Sequence, residues 1–352
     1  MIRSPLLRPA GERLRAWSEL LRVSALLSVP GDALAGAAAV GVRPGRGTAW
    51  AVGSSLCLYE AGMALNDWAD RHEDAVERPH RPVPSGRVGP GAALGAAGVL
   101  TAAGLALAAR AGRPPLAVAT ALAATVWAYD LRLKHTPAGP AAMATARGLD
   151  LLLGATATVS VTRRGVPGTP GAGGAGGASH RAAAPPPAAS PLAALPSAAV
   201  LAAHTYAVTA VSRHEVQGGS TATPLGALAA ATVLGALTAS TRPDPYHRGP
   251  AHPVPYPPGA GRRPPSGPRR STAQRVTPLL AAVYVRTAAR PLLHAALNPS
   301  PLLTGRAVGG GIRAMIPLQA ALMSRSGATA GGLALLGLVP LTRRLARKVS
   351  PT

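Results

Sequence analysis

The chain has 352 residues, 47% of them hydrophobic and only 14% charged, and its mean hydropathy is +0.20 although 37 residues are Pro and 41 Gly. Soluble domains carry about 25% charged residues, so a pair of water-soluble domains is excluded, and the single Cys57 excludes a disulfide scaffold. The net charge of +23 comes from 34 Arg and two Lys, yet aromatic residues are 3% with no Phe, which leaves no stacking platform for single strands and no nucleic-acid partner to expect. Arg beside apolar segments suits anionic lipid headgroups better, and the Arg-, Ala-, Gly- and Pro-rich usage reads as the coding bias of a GC-rich genome.

Residues 1–22 form a basic arm with Arg3, Arg8, Arg13, Arg15 and Arg22 and no cleavable signal. Apolar stretches of about 20 residues, the length that crosses a bilayer core, then recur at 23–42, 49–66, 91–111, 114–131, 140–162, 192–211, 222–241, 277–297, 303–323 and 328–342. The 303–323 stretch carries Arg306 and Arg313 beside Gly309, Gly310 and Gly311, and leaves two placements open, across the membrane or along its interface. The expectation is an all-α polytopic membrane bundle of about nine transmembrane helices (eight to ten) around a central cavity, spanning residues 23–352. Residues 163–191 and 242–273, rich in Gly, Pro and Arg, read as flexible loops.

Acids inside or beside membrane segments are costly and mark function. Five of the 13 acids fall together: Asp67, Asp70, Glu73, Asp74 and Glu77. On a continuous helix Asn66, Asp70 and Asp74 would share a face with Asp67 at its edge, each about 6 Å from the next. Such hard oxygen ligands suit Mg²⁺ shared with phosphate oxygens; a solvated helix end paired to Arg71, Arg78 and Arg81 is the open alternative. The next segment, Glu77 to Arg87, holds Pro79, Pro82 and Pro84. These forbid helix and predict a stiff, extended loop that presents Arg78, Arg81 and Arg87 as planar phosphate donors.

Asn66-Asp67-x-x-Asp70-x-x-x-Asp74 followed by Arg78-Pro79-x-Arg81-Pro82-x-Pro84-Ser85-Gly86 resembles the first Asp-rich motif of the UbiA superfamily of intramembrane prenyltransferases. Tyr129-Asp130-Leu131-Arg132-Leu133-Lys134 is similar to a second family segment, where a Tyr and a basic residue face the diphosphate. The family's second Asp-rich motif falls on Ser212-Arg213-His214-Glu215-Val216-Gln217, where only Glu215 is acidic; this departure resembles the EboC-like branch. The resemblance implies transfer of a chain from a prenyl diphosphate to a lipophilic or aromatic acceptor within the lipid bilayer. It implies Mg²⁺ on Asp67, Asp70 and Asp74 with Asn66, and catalysis by these acids with Lys134 and Glu215. Substrate contacts are implied for Asn66, Arg78, Arg81, Tyr129, Asp130, Arg147, Ser212 and His214. It places a multi-pass protein in the cell membrane with its active-site loops cytoplasmic. The weakened second motif leaves an alternative, a UbiA-like carrier or assembly partner that binds a prenyl diphosphate or lipid without turnover.

Three further features are open at this level. Arg147 and Asp150, one turn apart, either pair with each other or line the substrate cavity. Asp32 either lines that cavity or bonds backbone freed by Pro30. His204 and Tyr206 read as helix packing.

Overall fold

The computed structural model describes residues 9–22, 29–165, 189–240, 272–337 and 340. Every regular element among them is helical: α1 Ala10–Leu20, α2 Pro30–Ala39, α3 Arg46–Ala69, α4 Arg71–Glu77, α5 Pro90–Ala111, α6 Arg113–Ala128, α7 Gly139–Gly165, α8 Leu195–Ser212, α9 Ala222–Ala239, α10 Thr272–Leu297, α11 Pro301–Arg325 and α12 Thr329–Gly337. A π turn, Tyr129–Leu133, extends α6, and a 3₁₀ turn, Pro191–Ala194, leads into α8. Each of the ten apolar stretches coincides with one of these helices. The basic arm contains α1, and residues 23–28 of the first stretch lie outside the described residues. The expected loops also fall mostly outside, at 166–188 and 241–271; α7 runs on to Gly165 and α10 opens at Thr272, so helix takes both ends of the expected loop ranges.

Sequence punctuation explains the boundaries. Pro opens α2, α5 and α11, where its missing N–H is an orphan in any case. Gly112, at φ 133°, turns α5 into α6 within one residue, a conformation open to glycine at little cost.

Pro90–Ala111, Arg113–Leu133, Pro191–Ser212 and Ala222–Ala239 are long and apolar enough to cross a membrane. The helices α3, α7, α10 and α11, of 24 to 27 residues, are as long, but α3, α7 and α11 carry the interior polar groups Glu60, Asp150 and Gln319. Length, apolarity and recurrence make this a membrane protein.

α7 packs on α2, α3, α6 and α8, while α11 packs on α2, α8, α9, α10 and α12. These two helices organise the bundle. The interfacial placement of 303–323 does not hold, because α11 is buried without interruption from Ala314 to Ser324. Its glycines serve close packing: a Cβ on Gly310 would meet Pro291 of α10 and one on Gly311 would meet Val208 of α8. Arg306 and Arg313 stay on its exposed side.

Polar groups also tie the helices. His204 of α8 bonds through Nδ1 to the Tyr284 hydroxyl of α10 and through Nε2 to the Gly311 carbonyl of α11, both at 3.0 Å. The packing role expected for His204 is thus a three-helix tie, whereas Tyr206 is half-exposed. Asp32, fully buried, accepts from Gln319 Nε2 at 2.7 Å and pairs with Arg147 Nη1 at 3.0 Å. Arg147 therefore turns to α2 for its ion pair, and Asp150 accepts instead from Ser55 of α3 at 2.7 Å. Asp32 reaches side chains, not backbone freed by Pro30.

Candidate active site

α3 stops at Ala69 and α4 starts at Arg71. Asp70 between them has φ −85° and ψ 2°, enough to bend the chain while its N–H still reaches the Asn66 carbonyl at 2.9 Å. The expected single face is thereby divided. Asp67 and Asp74, seven residues apart, share Arg81: its Nη1 lies 3.5 Å from Asp67 Oδ1 and 2.7 Å from Asp74 Oδ2. Asn66 and Asp70 form the other half. Asn66 Nδ2 donates to Asp70 at 3.1 Å and to Asp130 at 3.2 Å, and Lys134 Nζ pairs with Asp70 Oδ1. Asp67 and Asp74 are buried, so the helix end is not solvated there, but their pairing to Arg78 and Arg81 is the one that the alternative named.

The segment after α4 is compact, not extended. Arg81 N–H bonds to Arg78 O at 3.0 Å, Ser85 N–H to Arg81 O at 3.0 Å and Val88 N–H to Pro82 O at 2.9 Å. Proline fixes φ near −65°, which serves tight turns as well as extended chain. Ser85 Oγ caps the Arg81 carbonyl at 2.6 Å, and Gly86 takes φ 68°. The compact loop sends its arginines different ways. Arg81 turns onto the acids and Arg78 lies 3.7 Å from Asp74. Arg87 turns away, to the His80 carbonyl and to Glu19 of α1, both at 2.6 Å.

Lys134 reaches Asp70 because α6 ends in a π turn. Its N–H bonds to the Tyr129 carbonyl, five residues back, at 3.0 Å. The added residue turns Asp130 into the interior, where it is buried, and carries Lys134 towards α3. π turns recur at functional sites. Tyr129 is half-buried beside them.

The second segment is placed differently. Ser212 Oγ bonds to its own helix at Thr209 O, 2.9 Å, and residues 213–217 form turns. Arg213 Nη1 donates to Thr136 O at 2.7 Å, joining this segment to the loop after Lys134. Glu215 is exposed and rests against Gly305 of α11, and His214 is half-buried. Neither Glu215 nor His214 makes an ion pair with the first acid cluster among the described residues. Arg147 likewise stands apart, paired with Asp32.

Three neighbours of the site were not assigned to it from sequence. Arg22, in the left-handed region at φ 48°, places Nη2 3.6 Å from Asp67 Oδ1; its place directly after a helix was the available signal. Glu73 and His135, both exposed, bring ligand atoms within 4.8 Å of each other and of Asp70. That contact joins residues 62 apart in sequence, and no local spacing announces it.

The carboxylates of Asp67 on α3 and Asp74 on the short α4 are buried and share Arg81, and Asp70 between the two helices pairs with Lys134, so acids and cationic side chains meet in one mouth at one end of α3 and α6. Comparisons with known proteins bear on the fold and the family. The digeranylgeranylglyceryl phosphate synthase of Methanopyrus kandleri is 38% identical over 129 residues, 35% of this chain and 46% of that protein. That of Ignicoccus hospitalis is 36% identical over 150 residues, 42% and 49% respectively. The chain spans about half the length of the curated relatives it matches. Among solved structures, the UbiA homologue from Archaeoglobus fulgidus bound to GPP and Mg²⁺ superposes with TM-score 0.53 at 16% identity, covering 90% of this chain and 99% of that one. The apo UbiA homologue from Aeropyrum pernix K1 gives TM-score 0.55 at 14% identity, covering 84% and 96%. These similarities establish the fold, and the UbiA prenyltransferase family model matches residues 27–241, more than half of the chain. The acid–base mouth lies inside that match, and the chain belongs to the UbiA prenyltransferase family.

Proposed function

We propose that this protein transfers an isoprenoid chain from an allylic diphosphate to a lipophilic or aromatic acceptor, with Mg²⁺ beside the diphosphate. The observation that carries the reading is the sharing of cations by the first-motif acids: one Arg81 nitrogen lies between Asp67 and Asp74, and Lys134 holds Asp70. The residues fit the metal. Their carboxylate oxygens are hard ligands of the kind Mg²⁺ shares with phosphate, and the space between Asp67 and Asp74 already admits a cationic group. When bound, the ion supplies Lewis-acid stabilisation of the leaving diphosphate.

The chain's own groups do the rest. Arg78, Arg81 and Lys134 donate to diphosphate oxygens as negative charge grows on them. Asn66, which also donates to Asp130, holds Asp70 in place, and Tyr129 flanks the same turn. The apolar bundle shields the allylic carbon from water. Ser212, His214 and Glu215 belong to the second segment, which Arg213 joins to the loop after Lys134, and Arg147 pairs with Asp32 of α2. The mouth and its loops face the cytoplasm of a multi-pass cell-membrane protein.

A second reading, binding without turnover, draws support from Glu215, which rests on Gly305 as the sole acid of its segment. Purified protein with geranylgeranyl diphosphate separates the two. Mg²⁺-dependent binding together with diphosphate release is the expected result; binding without release selects the carrier. Asp70→Ala should abolish the Mg²⁺-dependent part of binding, and parental binding by that variant would overturn the assignment.

A further inference from the structure

Glu60 lies in the middle of α3 and is only 7% exposed, and neither of its carboxylate oxygens has a hydrogen-bond partner among the described residues. A buried carboxyl without a hydrogen-bond partner is costly, and calls for a bound proton or a ligand that bonds it. Its position is specific. Glu60, Asp67 and Asp74 are spaced by seven residues. Seven residues of α-helix return to within 20° of the same direction and advance about 10 Å. Glu60 and Asp67, both in α3, therefore share a face, and Asp67 is joined through Arg81 to Asp74 beyond the bend at Asp70. The two outer acids have Arg22, Arg78 and Arg81 for partners, whereas Glu60 forms no ion pair among the described residues. Hydrocarbon chain offers it nothing. A hydroxyl or another proton-bearing nucleophile, seated in the bundle beside the prenyl group, does.

We infer that Glu60 is the acceptor-side residue of the reaction: it accepts a hydrogen bond from the acceptor's nucleophilic group and takes its proton. The inference rests on the prenyl-transfer reading above. In the step, the C1–O bond of the allylic diphosphate breaks and its electron pair leaves with diphosphate. The acceptor's nucleophilic atom bonds to C1, and the proton it loses passes to the Glu60 carboxylate. No oxidant or reductant is needed.

The test uses the full chain in lipid nanodiscs. Dicyclohexylcarbodiimide, an apolar reagent that couples to carboxyl groups in apolar surroundings, is followed on the Glu60 peptide by mass spectrometry. Labelling of Glu60 is expected, and geranylgeranyl diphosphate with Mg²⁺ should suppress it while inorganic diphosphate with Mg²⁺ should not. No labelling, or labelling unchanged while the prenyl diphosphate is bound, overturns the inference, because Glu60 is then sealed by packing or faces lipid. In parallel, slow diphosphate release is measured without added acceptor, where the water that does reach the allylic carbon is the nucleophile. Glu60→Gln should slow release at least tenfold, with the Kd for geranylgeranyl diphosphate within twofold of the parent. Glu60→Asp should recover part of the rate. Parental release by Glu60→Gln overturns the proton-accepting role. Failure of the parent chain to bind prenyl diphosphate would instead overturn the function itself.

Discussion

Arg147 of α7 pairs at 3.0 Å with Asp32 of α2, although Asp150 lies three residues away on its own helix. The pair joins two helices that are distant in sequence, and Gln319 of α11 completes it at 2.7 Å. Removing one member of a buried pair leaves the other charge uncompensated, which costs about 3–5 kcal/mol. Arg147→Ala should therefore lower the midpoint of thermal unfolding in detergent sharply. Asp32→Asn combined with Arg147→Gln should recover much of that loss, since no bare charge remains. A parental midpoint for Arg147→Ala would mean that the pair contributes nothing, and no recovery in the double variant would mean that the loss is not due to a bare charge.

The α2–α7 crossing is a second place where a small change has a large effect. A Cβ on Gly154 would run into the backbone of Ala33, and one on Gly36 into the backbone of Leu151. Backbone cannot rotate away as a side chain can. Gly154→Ala should destabilise by at least the ~1–3 kcal/mol typical of overpacking. Gly98→Ala on α5, where nothing lies within 4 Å, should leave the midpoint unchanged. Thermal unfolding of the two variants side by side decides this.

The helices and the first Asp-rich motif were legible because both are local. Twenty-residue apolar runs need no partner to be recognised, and the Asn66-to-Gly86 motif carries its chemistry in contiguous sequence. Whatever depends on tertiary pairing was less accessible. The division of the acids into Asp67 with Asp74 and Asn66 with Asp70 follows from the ψ of one residue, Asp70, and from where Arg81 and Lys134 come to rest. The proline-rich segment read as extended because proline removes donors; the turns that Ser85 and Gly86 close are equally compatible with its φ. Arg147 looked paired with Asp150 by helical spacing, yet α2 offered a nearer carboxylate. Glu60 passed unremarked in a helix read only for its apolarity.

Lys134 contacts Asp70 only because the π turn at Tyr129–Leu133 carries it there. In the proposed reaction this ammonium passes to the diphosphate. Lys134→Ala should then raise the Kd for geranylgeranyl diphosphate about tenfold or more, since hydrogen bonds to charged groups contribute about 1.5–3 kcal/mol. Affinity for geranylgeraniol, which lacks the phosphates, should change little. Isothermal titration with both ligands tests the difference, and an equal loss for the two would assign Lys134 to structure alone.

Asp74 and Glu215 provide the sharpest contrast between the two acidic segments. Asp74 is buried and shares Arg81 with Asp67. Glu215 is exposed, rests on Gly305 and forms no ion pair among the described residues. A metal–diphosphate pair centred on the first segment depends on Asp74 for both charge and geometry, while Glu215 can add only a distant carboxylate. Asp74→Ala should therefore abolish the Mg²⁺-dependent increase in prenyl diphosphate affinity. Glu215→Ala should weaken binding by no more than about fivefold, the equivalent of ~1 kcal/mol. Its effect should fall on diphosphate release, if the second segment closes over the mouth during turnover. Titration of both variants with and without Mg²⁺ measures each quantity directly. A Glu215→Ala loss as large as that of Asp74→Ala would show that the α8 segment binds the metal on equal terms, and the assignment of the site to the first segment would have to be given up.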